Sequence, residues 1–391
     1  MNINESNHLT KLEKSLPAQW YFDEKFYNKE LSKIWSNNWI YVCHKSRLEQ
    51  KLSYLTISIG KQSIVILNDT KRKIKAYFNT CRHRGSVLCN QSNGKLKSKL
   101  LVCPYHQWSY SADTGELLQI ASFSKLPKGF EKKKFSLFKV NVKEWRGCIF
   151  VNLDKNSNWN EETLFQRNPD VFKNFPIEEM VVSDVWEKII DCNWKSFWEN
   201  FNECLHCPNV HPELTSLVPM FSRRIINPQD LPGWMPKSKD SDPKFSGGLK
   251  KGAETWSENG HAQGCKINSL TESDLLKGHV YASSWPSIFI GGYADHVRIV
   301  RVSPIESEKV KISAEWLFEK KTLKNKSYNK ENVISFACKI MEQDAKACEL
   351  NQKGIHSIPY ENGVLMPEEY VIKNFHDWLR KKLKLENGKG Y

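Results

Sequence analysis

Two short stretches decide the fold of the first part of this chain: CRHRGSVLC, residues 81–89, and CPYHQWSY, residues 103–110. Each stretch offers one cysteine and one histidine to a metal; the four are Cys81, His83, Cys103 and His106. Zinc accepts such a Cys2His2 set, but the common zinc finger groups its two cysteines in one loop. The interleaved order instead suits a two-iron, two-sulfide cluster in which one iron takes both thiolates and the other takes both imidazoles.

Neutral imidazoles in place of two thiolates raise the reduction potential of such a cluster to roughly −150 to +300 mV, against about −400 mV for all-cysteine ferredoxin clusters. CRHRG followed by CPYHQWSYSADTGEL resembles the Rieske motif, C-x-H then C-x-x-H, of the Rieske non-haem iron oxygenases. The interval from His83 to Cys103 is longer than is usual in that family, which we interpret as an insertion in the lysine-rich hairpin between the loops. Cys89 lies outside the motif, so we expect it to be structural.

The composition is typical of a folded protein with two domains. The chain has 391 residues, 40% of them hydrophobic, which is enough for two cores. The N-terminal residues contain no apolar stretch like that of a signal peptide, and no apolar run approaches the length of about 18 residues that a membrane helix needs. We therefore expect a cytoplasmic protein with no membrane partner. Because eleven cysteines are an odd number in such a chain, we expect free thiols rather than a disulfide framework.

The formal net charge of +14 comes mostly from lysines in small groups, such as those within residues 132–134 and 380–382. Nucleic-acid-binding proteins more typically concentrate basic residues on one element, with aromatic residues between them. The sequence has no such stripe, so we expect no nucleic-acid partner. A solvated surface explains the lysines, and attraction to an acidic redox partner is a second interpretation.

The order of sequence patterns indicates three segments. Residues 1–40 contain FDEKFYNKELSKIWSNNW, residues 22–39, whose apolar residues recur near helical spacing. Residues 41–155 alternate β-rich runs such as SIVIL, IKAYF and GCIFVNL with Gly, Asn and Asp turns, which is typical of a small antiparallel β domain. NLDKNSNWN, residues 152–160, indicates a boundary, and residues 156–391 form the last segment.

The last segment combines helices with an antiparallel sheet. NWKSFWENFNECLHCPNVH, residues 193–211, predicts a helix with a broad apolar stripe. Strand-like runs follow at YASSWPSIFIGGY, HVRIVRVSPI and KVKISAEWLF, and a final helix is predicted at about residues 332–352. Residues 215–280 are rich in Pro, Gly, Ser and Lys, which predicts long excursions over a surface. The fold class is therefore α+β.

A second metal site is indicated by ECLHCPNVHPEL, residues 203–214. His206 and His211 are five residues apart, a poor match to a straight helix, where residues i and i+4 share a face. A break near Pro208 would return His211 toward His206. Two imidazoles and one carboxylate on one side of iron form the facial triad of oxygen-activating ferrous sites. Spacing alone does not identify the carboxylate.

The family resemblance extends over nearly the whole chain and implies that carboxylate. WRGCIFVNL, NWKSFWEN, WPSIFIGGYADHVRIVRVSP and QDAKACELNQKG are similar to parts of the terminal oxygenase (alpha) subunits. These subunits join a small antiparallel β Rieske domain to a catalytic domain with a curved antiparallel sheet flanked by helices, of the helix-grip type, on which the N-terminal helical segment packs. Their third iron ligand is an Asp on a late helix, which corresponds to Asp344; Glu342 and Glu349 are the alternatives.

Glu203 lies where the family carries an acidic residue that links an iron histidine to a Rieske histidine of a neighbouring subunit. A carboxylate there can accept hydrogen bonds from both imidazoles and couple the two centres. Ring-hydroxylating members usually have Asp at this position after one more intervening residue, so Glu is a departure whose longer side chain recovers the reach. The linkage implies a cyclic homotrimer; an ordinary surface glutamate is the alternative.

The sequence CLHC, residues 204–207, is also compatible with a zinc knuckle. No second pair of ligands follows at a suitable spacing, so we interpret Cys204 and Cys207 as buried helix residues.

Within the family, ENFNECLHCPNVHPEL is most similar to the branch that attacks quaternary ammonium compounds, which includes glycine betaine and stachydrine demethylases and choline monooxygenase-like proteins. The implied reaction hydroxylates an N-methyl carbon with O2 and gives the demethylated amine and formaldehyde. Aromatic faces attract a trimethylammonium group, and Tyr281, Trp285 and Phe289 fall on one face of a predicted strand. Hydrophobic core is the alternative role of these three residues.

The same resemblance implies a [2Fe–2S] Rieske cluster, a mononuclear Fe(II), and electrons from NAD(P)H. These electrons pass through a separate flavin and iron–sulfur reductase, because this chain has no flavin or nicotinamide fingerprint. The nearest alternative function is an aromatic-ring hydroxylase or O-demethylase. A Rieske electron carrier is the non-enzymatic alternative.

Overall fold

The computed structural model of this chain describes residues 7–121, 123, 125–166, 169–223, 248–325 and 328–385. The chain forms two compact units. The smaller unit is Trp35–Leu164, and the larger unit combines the residues up to Ile34 with those from Phe165 onward. The two points at which the chain passes from one unit to the other lie within ten residues of the predicted boundaries after residues 40 and 155.

The N-terminal residues of the larger unit contain a short strand, β1 (Glu13–Lys14), and a helix, α1 (Glu24–Glu30). Asp23 begins α1, because its side chain accepts a hydrogen bond of 2.7 Å from the Phe26 backbone N–H. A π-helical turn at Leu31–Trp35 continues the helix. The predicted helix over residues 22–39 is therefore present but shorter than expected.

The described residues of the smaller unit form ten strands. They are β2 (Ile40–His44), β3 (Ser53–Ile59), β4 (Gln62–Asn68), β5 (Ile74–Phe78), β6 (Asn93–Lys95), β7 (Leu100–Val102), β8 (Trp108–Ser111), β9 (Leu117–Ile120), β10 (Asn141–Trp145) and β11 (Cys148–Asn152). All of their pairings are antiparallel, in sheets ordered β5-β4-β3-β6, β7-β8-β9 and β10-β11-β2. The predicted antiparallel β domain is confirmed.

The larger unit is centred on one antiparallel sheet, ordered β12-β16-β15-β14-β13. Its strands are β12 (Val181–Ile190), β13 (Val280–Ser284), β14 (Ile288–Gly292), β15 (Val297–Glu306) and β16 (Lys309–Phe318); a separate short strand, β17 (Val364–Leu365), pairs with β1. β13 to β16 coincide with the three predicted strand-like runs. The α+β fold class is confirmed.

Among the described residues, the larger unit has these helices after α1: α2 (Trp194–Phe201), α3 (Cys207–Val210), α4 (Pro212–Leu217), α5 (Glu272–Lys277), α6 (Lys320–Leu323), α7 (Lys330–Ile355) and α8 (Tyr370–Leu383). The predicted late helix is α7. In the described part of the chain, every helix is too short or too polar to span a bilayer. Part of the predicted surface excursion, residues 224–247, lies outside the described residues, but Thr255 and Ser257 are buried, so the prediction is wrong for those two positions.

A buried ion pair joins the N-terminal segment to helix α2. The Lys195 ammonium lies 2.7 Å from Glu30 Oε1, both side chains are 0% exposed, and Trp194 Nε1 donates to Glu30 Oε2 at 2.8 Å. Burial raises the pKa of Glu30 and lowers the pKa of Lys195, and the attraction between the two charges opposes both shifts. Each charge is therefore tolerated only because the other is present.

We expect Lys195→Met to lower the free energy of unfolding by about 3–5 kcal/mol, because it leaves the Glu30 carboxylate buried and unpaired. Equilibrium urea unfolding measures this change. The matched control is Lys266→Met, since Lys266 pairs with Glu254 at the surface and such pairs contribute at most about 1 kcal/mol. Equal losses for the two variants would contradict a special role of the buried pair.

Candidate metal centres

The two cysteine–histidine loops of the smaller unit have the same backbone hydrogen-bond pattern. In the first loop Cys81 N donates to Ser86 O at 2.8 Å, and Gly85 N donates to Cys81 O at 3.0 Å. In the second, Cys103 N donates to Trp108 O at 2.8 Å, and Gln107 N donates to Cys103 O at 3.0 Å. Gly85 and Gln107 both have left-handed backbone, with φ of +77° and +56°. The loops are thus two copies of one turn.

The cysteines and histidines of these loops differ in depth. Cys81 and Cys103 are 2% and 1% exposed within the core of the unit, whereas His83 and His106 are half-buried, with ring centroids 4.9 Å apart. The Nδ1 atom of His83 is buried and has no hydrogen-bond partner among the described residues. Buried sulfurs, outward imidazoles and an unpartnered ring nitrogen fit a cluster ligated by two thiolates and two histidines.

The Tyr110 hydroxyl supports the inner side of this arrangement. It accepts a hydrogen bond of 3.0 Å from Arg82 N and lies 3.1 Å from Cys81 Sγ, where it can donate its proton to the sulfur. Donors to ligating sulfurs raise the potential of an iron–sulfur cluster. Tyr110 was not predicted, although it lies inside the quoted CPYHQWSY motif.

In the larger unit, the helix predicted over residues 193–211 is interrupted on both sides of Pro208. α2 ends at Phe201, five residues then lie outside any helix, and His206 directly precedes the short helix α3. Pro208 is in the first turn of α3, where its missing N–H costs nothing. His211 lies between α3 and α4. The helix is therefore broken just before Cys207 and again at His211, close to the predicted position near Pro208.

Three donor atoms from the predicted residues come together at this turn. Asp344 Oδ1 on α7 lies 2.8 Å from His211 Nε2 and 3.3 Å from His206 Nε2. The imidazole centroids are 5.2 Å apart, and Asp344 is buried. The alternative Glu342 is exposed and pairs with Lys188 instead. Two imidazoles and one carboxylate in this arrangement can hold a ferrous ion with open positions for dioxygen.

The outer nitrogen of each imidazole is also bound. His206 Nδ1 donates to Glu203 Oε1 at 2.5 Å, and His211 Nδ1 donates to Gln343 Oε1 at 2.8 Å. Gln343 is fixed in turn, because its Nε2 donates to Glu213 Oε1 at 2.8 Å. These contacts fix the orientations of both rings and keep a proton on Nδ1, so that Nε2 is the nitrogen that a metal would take. The sequence analysis did not predict a role for Gln343. The only feature that could have indicated one is its position directly before Asp344.

The carboxylates also determine the protonation of the site. Burial alone would lower the pKa of His206, but hydrogen bonds with Asp344 and Glu203 outweigh it and raise that pKa to about 9. Burial would raise the pKa of Asp344, yet the hydrogen bonds from His206 and His211 lower it. Both shifts indicate that positive charge is favoured next to these carboxylates, and a divalent cation would also supply positive charge there.

The cysteines on either side of His206 are paired in a disulfide, Cys204–Cys207, with Cα atoms 5.0 Å apart. This corrects the expectation that both are free helix residues. Cys207 Sγ lies within 4.8 Å of nitrogens of His206 and His211, but a sulfur held in a disulfide is not a thiolate. The anionic donor to a metal here is therefore Asp344 rather than Cys207.

A cavity lined by aromatic side chains opens beside the His206, His211 and Asp344 cluster. Tyr281 and Phe289 line it, with ring centroids 5.7 Å apart. Trp285 does not, because it lies in the β13–β14 turn, outside the strand, and packs on Phe375 and Trp378. The prediction for Trp285 is therefore wrong. Further ring-bearing or charged lining residues that were not predicted are Phe201, Phe221, Trp256, His279, Tyr293 and Arg298.

Comparison with known proteins defines the class. Residues 38–130 match the Rieske [2Fe-2S] domain family, and residues 170–385, more than half of the chain, match the catalytic domain of the ring hydroxylating alpha subunit family. The chain is a Rieske-type oxygenase. It belongs to the ring hydroxylating alpha subunit family, whose enzymes carry the Rieske cluster and a mononuclear iron and take electrons from a partner reductase.

Several curated relatives span nearly the whole chain. The glycine betaine monooxygenase oxygenase subunit of Chromohalobacter salexigens is 27% identical over 93% of this chain and 84% of its own length. The chloroplastic choline monooxygenase of Beta vulgaris is 26% identical over 94% of this chain and 76% of its own. The carnitine monooxygenase oxygenase subunit of Escherichia coli strain K12 is 29% identical over 52% of this chain and 54% of its own length.

Solved structures share the fold. The quaternary ammonium Rieske monooxygenase CntA in complex with L-carnitine superimposes with a TM-score of 0.70 at 20% identity, covering 95% of this chain and 96% of that one. Naphthalene 1,2-dioxygenase from Rhodococcus sp. superimposes with a TM-score of 0.72 at 18% identity, covering 95% of each chain. The confirmed fold is therefore shared by enzymes with unlike substrates, and only the site distinguishes among them.

The disulfide predicts a thiol count. Nine of the eleven cysteines are free and two are paired. We expect nine reactive thiols in the unfolded, metal-free protein without reductant and eleven after reduction with dithiothreitol, measured by colorimetric thiol titration. A Cys204→Ser/Cys207→Ser variant should give nine under both conditions. Eleven thiols before reduction would contradict the pairing.

Proposed function

We propose that this protein is a terminal oxygenase that hydroxylates an N-methyl group of a quaternary ammonium substrate of the betaine type. The observation that carries this proposal is the aromatic cavity beside the His206, His211 and Asp344 cluster. Relatives that span nearly the whole chain act on glycine betaine and choline by name, which supports the same substrate class.

The proposed ligands follow from the two sites described above. Cys81, His83, Cys103 and His106 hold the Rieske cluster, and His206, His211 and Asp344 hold the ferrous ion, which supplies dioxygen activation when it is bound. Glu203 fixes the His206 ring through its 2.5 Å hydrogen bond. The Glu203 side chain is 12% exposed. It can therefore also accept a hydrogen bond from an imidazole of a neighbouring subunit.

The cavity has the chemistry that a trimethylammonium group requires. Such a group is charged but cannot donate a conventional hydrogen bond, so it is stabilised by the negative faces of aromatic rings. Trp256 packs against Tyr293 with centroids 5.2 Å apart and against His279 at 5.1 Å, and these rings continue the wall formed by Tyr281 and Phe289. An enzyme for neutral aromatic substrates would need only an apolar pocket.

The reaction balances as a monooxygenation. One oxygen atom of O2 enters a C–H bond of the N-methyl group, and the other is reduced to water by two electrons from NAD(P)H and two protons. The hydroxymethyl ammonium product then releases its hydroxyl proton and loses formaldehyde, and the C–N electron pair returns to nitrogen to give a tertiary amine. The protein residues position the methyl carbon beside Asp344 and the histidines and limit the access of water.

The electron donor is a partner reductase, for which we propose the flavin and iron–sulfur type. We further propose a cyclic homotrimer in the cytoplasm, in which the cluster of one subunit serves the iron of the next through Glu203. A Rieske electron carrier would have no use for the buried Asp344 between two imidazoles, which makes that alternative weaker.

The direct test is formaldehyde release. With NADH and the partner reductase, we expect the full chain to form formaldehyde from at least one compound among glycine betaine, L-carnitine, γ-butyrobetaine, stachydrine and choline, in equal amount to the O2 consumed. Heat-inactivated protein is the control for reductase-dependent oxygen uptake. If no quaternary amine gives formaldehyde while an aromatic substrate is hydroxylated or O-demethylated, the proposal fails in favour of the alternative function.

Iron content tests the ligands. We expect His211→Ala to lower the iron content from about three to about two per chain while the visible absorbance of the cluster persists. The matched control is His356→Ala, because His356 is exposed and pairs with Glu308 away from the cavity. Two irons in the unsubstituted protein, or no loss in the His211 variant, would support the electron carrier instead.

A further inference from the structure

Arg298 is a buried cation in the wall of the aromatic cavity. It lies on β15 and is 5% exposed. Across the sheet it pairs in register with Gly291 on β14, which pairs with Tyr281 on β13. All three residues line the cavity. Gly291 has no side chain, and the Tyr293 ring lies over it instead, since a Cβ at Gly291 would be 2.7 Å from the Tyr293 hydroxyl oxygen.

The guanidinium of Arg298 has no acidic partner in the part of the chain that the structure describes. Its Nε is buried without a hydrogen bond, and none of the described residues forms an ion pair with it. The contact that it does make is with the Tyr293 ring, whose centroid lies 5.9 Å from Cζ. Arg301, three residues later on the same strand, instead pairs with Glu187 and donates to Ser313. Folding alone gives no reason to bury an unpaired guanidinium, because its desolvation is costly.

The other ionisable groups of the cavity do not compensate Arg298. The Asp344 and Glu203 carboxylates are engaged by His206 and His211 as described above. Burial lowers the pKa of His279 to about 4, so that imidazole is neutral at physiological pH. Arg298 is the only Lys or Arg among the described lining residues. The cavity therefore holds one positive charge without a counter-ion and a separate set of aromatic faces.

We propose that Arg298 binds the carboxylate of a zwitterionic substrate and so selects betaines over simple quaternary cations. This inference rests on the proposed function. It adds a group that binds the substrate carboxylate to the aromatic rings that bind the ammonium group. A guanidinium matches a carboxylate with two parallel hydrogen bonds, while the aromatic rings hold the trimethylammonium end. Choline or tetramethylammonium would leave Arg298 unpaired and add a second positive charge to the cavity, so selection combines attraction with repulsion.

Equilibrium binding tests this without turnover. The full chain with its cluster oxidised and no reductase is titrated calorimetrically with glycine betaine, γ-butyrobetaine and L-carnitine, and with choline and tetramethylammonium. We expect at least one zwitterion to bind about 10- to 100-fold more tightly than either cation, the range of a charge-assisted hydrogen-bonded pair. Arg298→Gln should remove that preference by weakening zwitterion binding alone, and Arg298→Lys should retain part of it.

The control is Arg301→Gln, the same change on the same strand at a residue that already has a partner; its binding preference should equal that of the unsubstituted protein. Arg298→Gln should be at least as stable to heat as the parent, because it removes an unpaired buried charge. If it does not fold, the comparison of zwitterions with cations in the unsubstituted protein still decides the point.

Two results separate this inference from the function on which it rests. Equal affinities for zwitterions and cations, with formaldehyde still released, would overturn the role of Arg298 and leave the demethylase proposal standing. A preference for zwitterions that Arg298→Gln abolishes, with no formaldehyde from any of them, would support Arg298 and overturn the reaction. Absence of binding by all five compounds would overturn both.

Discussion

The contact of one buried carboxylate, Asp344, with His206 and His211 is the constraint on which the catalytic unit depends. A buried carboxylate is stable only if hydrogen-bonding or charged partners face it. The position of helix α7 relative to α3 must therefore be fixed. The position of α7 is also set at its far end, where the Gln352 side chain accepts from Asn193 N and donates to Tyr21 O. Asn193 in turn begins α2. The donor cluster thus connects elements far apart in sequence.

This contact is possible because the helix is interrupted after Phe201 and the next helix, α3, ends again at Val210, so that His211 has non-helical backbone. In a continuous helix, residues five apart point in different directions, whereas the short α3 brings the two imidazoles to one oxygen atom. Glu203 stabilises the interruption, because its Oε2 accepts from the backbone N–H groups of Leu205 and His206 while its Oε1 holds the His206 ring. One side chain therefore sets both the path of the backbone and the orientation of a donor.

The sequence predicted what depends on local pattern and spacing. Strands β4, β5 and β11 follow from β-rich runs between turn formers, and the paired C-x-H and C-x-x-H loops follow from their interleaved ligands. The disulfide was not predictable, since CLHC gives no sign of whether its sulfurs face each other. Trp285 was assigned to a strand face because the alternation of side chains along a strand was extended across residues that form a turn containing Pro286. Trp256 and Arg298 enter the cavity through long-range strand register and packing, which no local pattern contains.

The charges of the cavity explain why its residues were hard to recognise as functional. An aromatic wall reads in a sequence as hydrophobic core, and an arginine in a strand reads as a surface residue; each interpretation is correct for most proteins. Here the burial of Arg298 is unfavourable for the folded chain, because its guanidinium is desolvated and none of the described residues forms an ion pair with it. Residues that reduce stability in this way are expected where a ligand supplies the missing charge. The unpaired guanidinium and the aromatic faces together describe a ligand with both signs of charge, which neither feature would define alone.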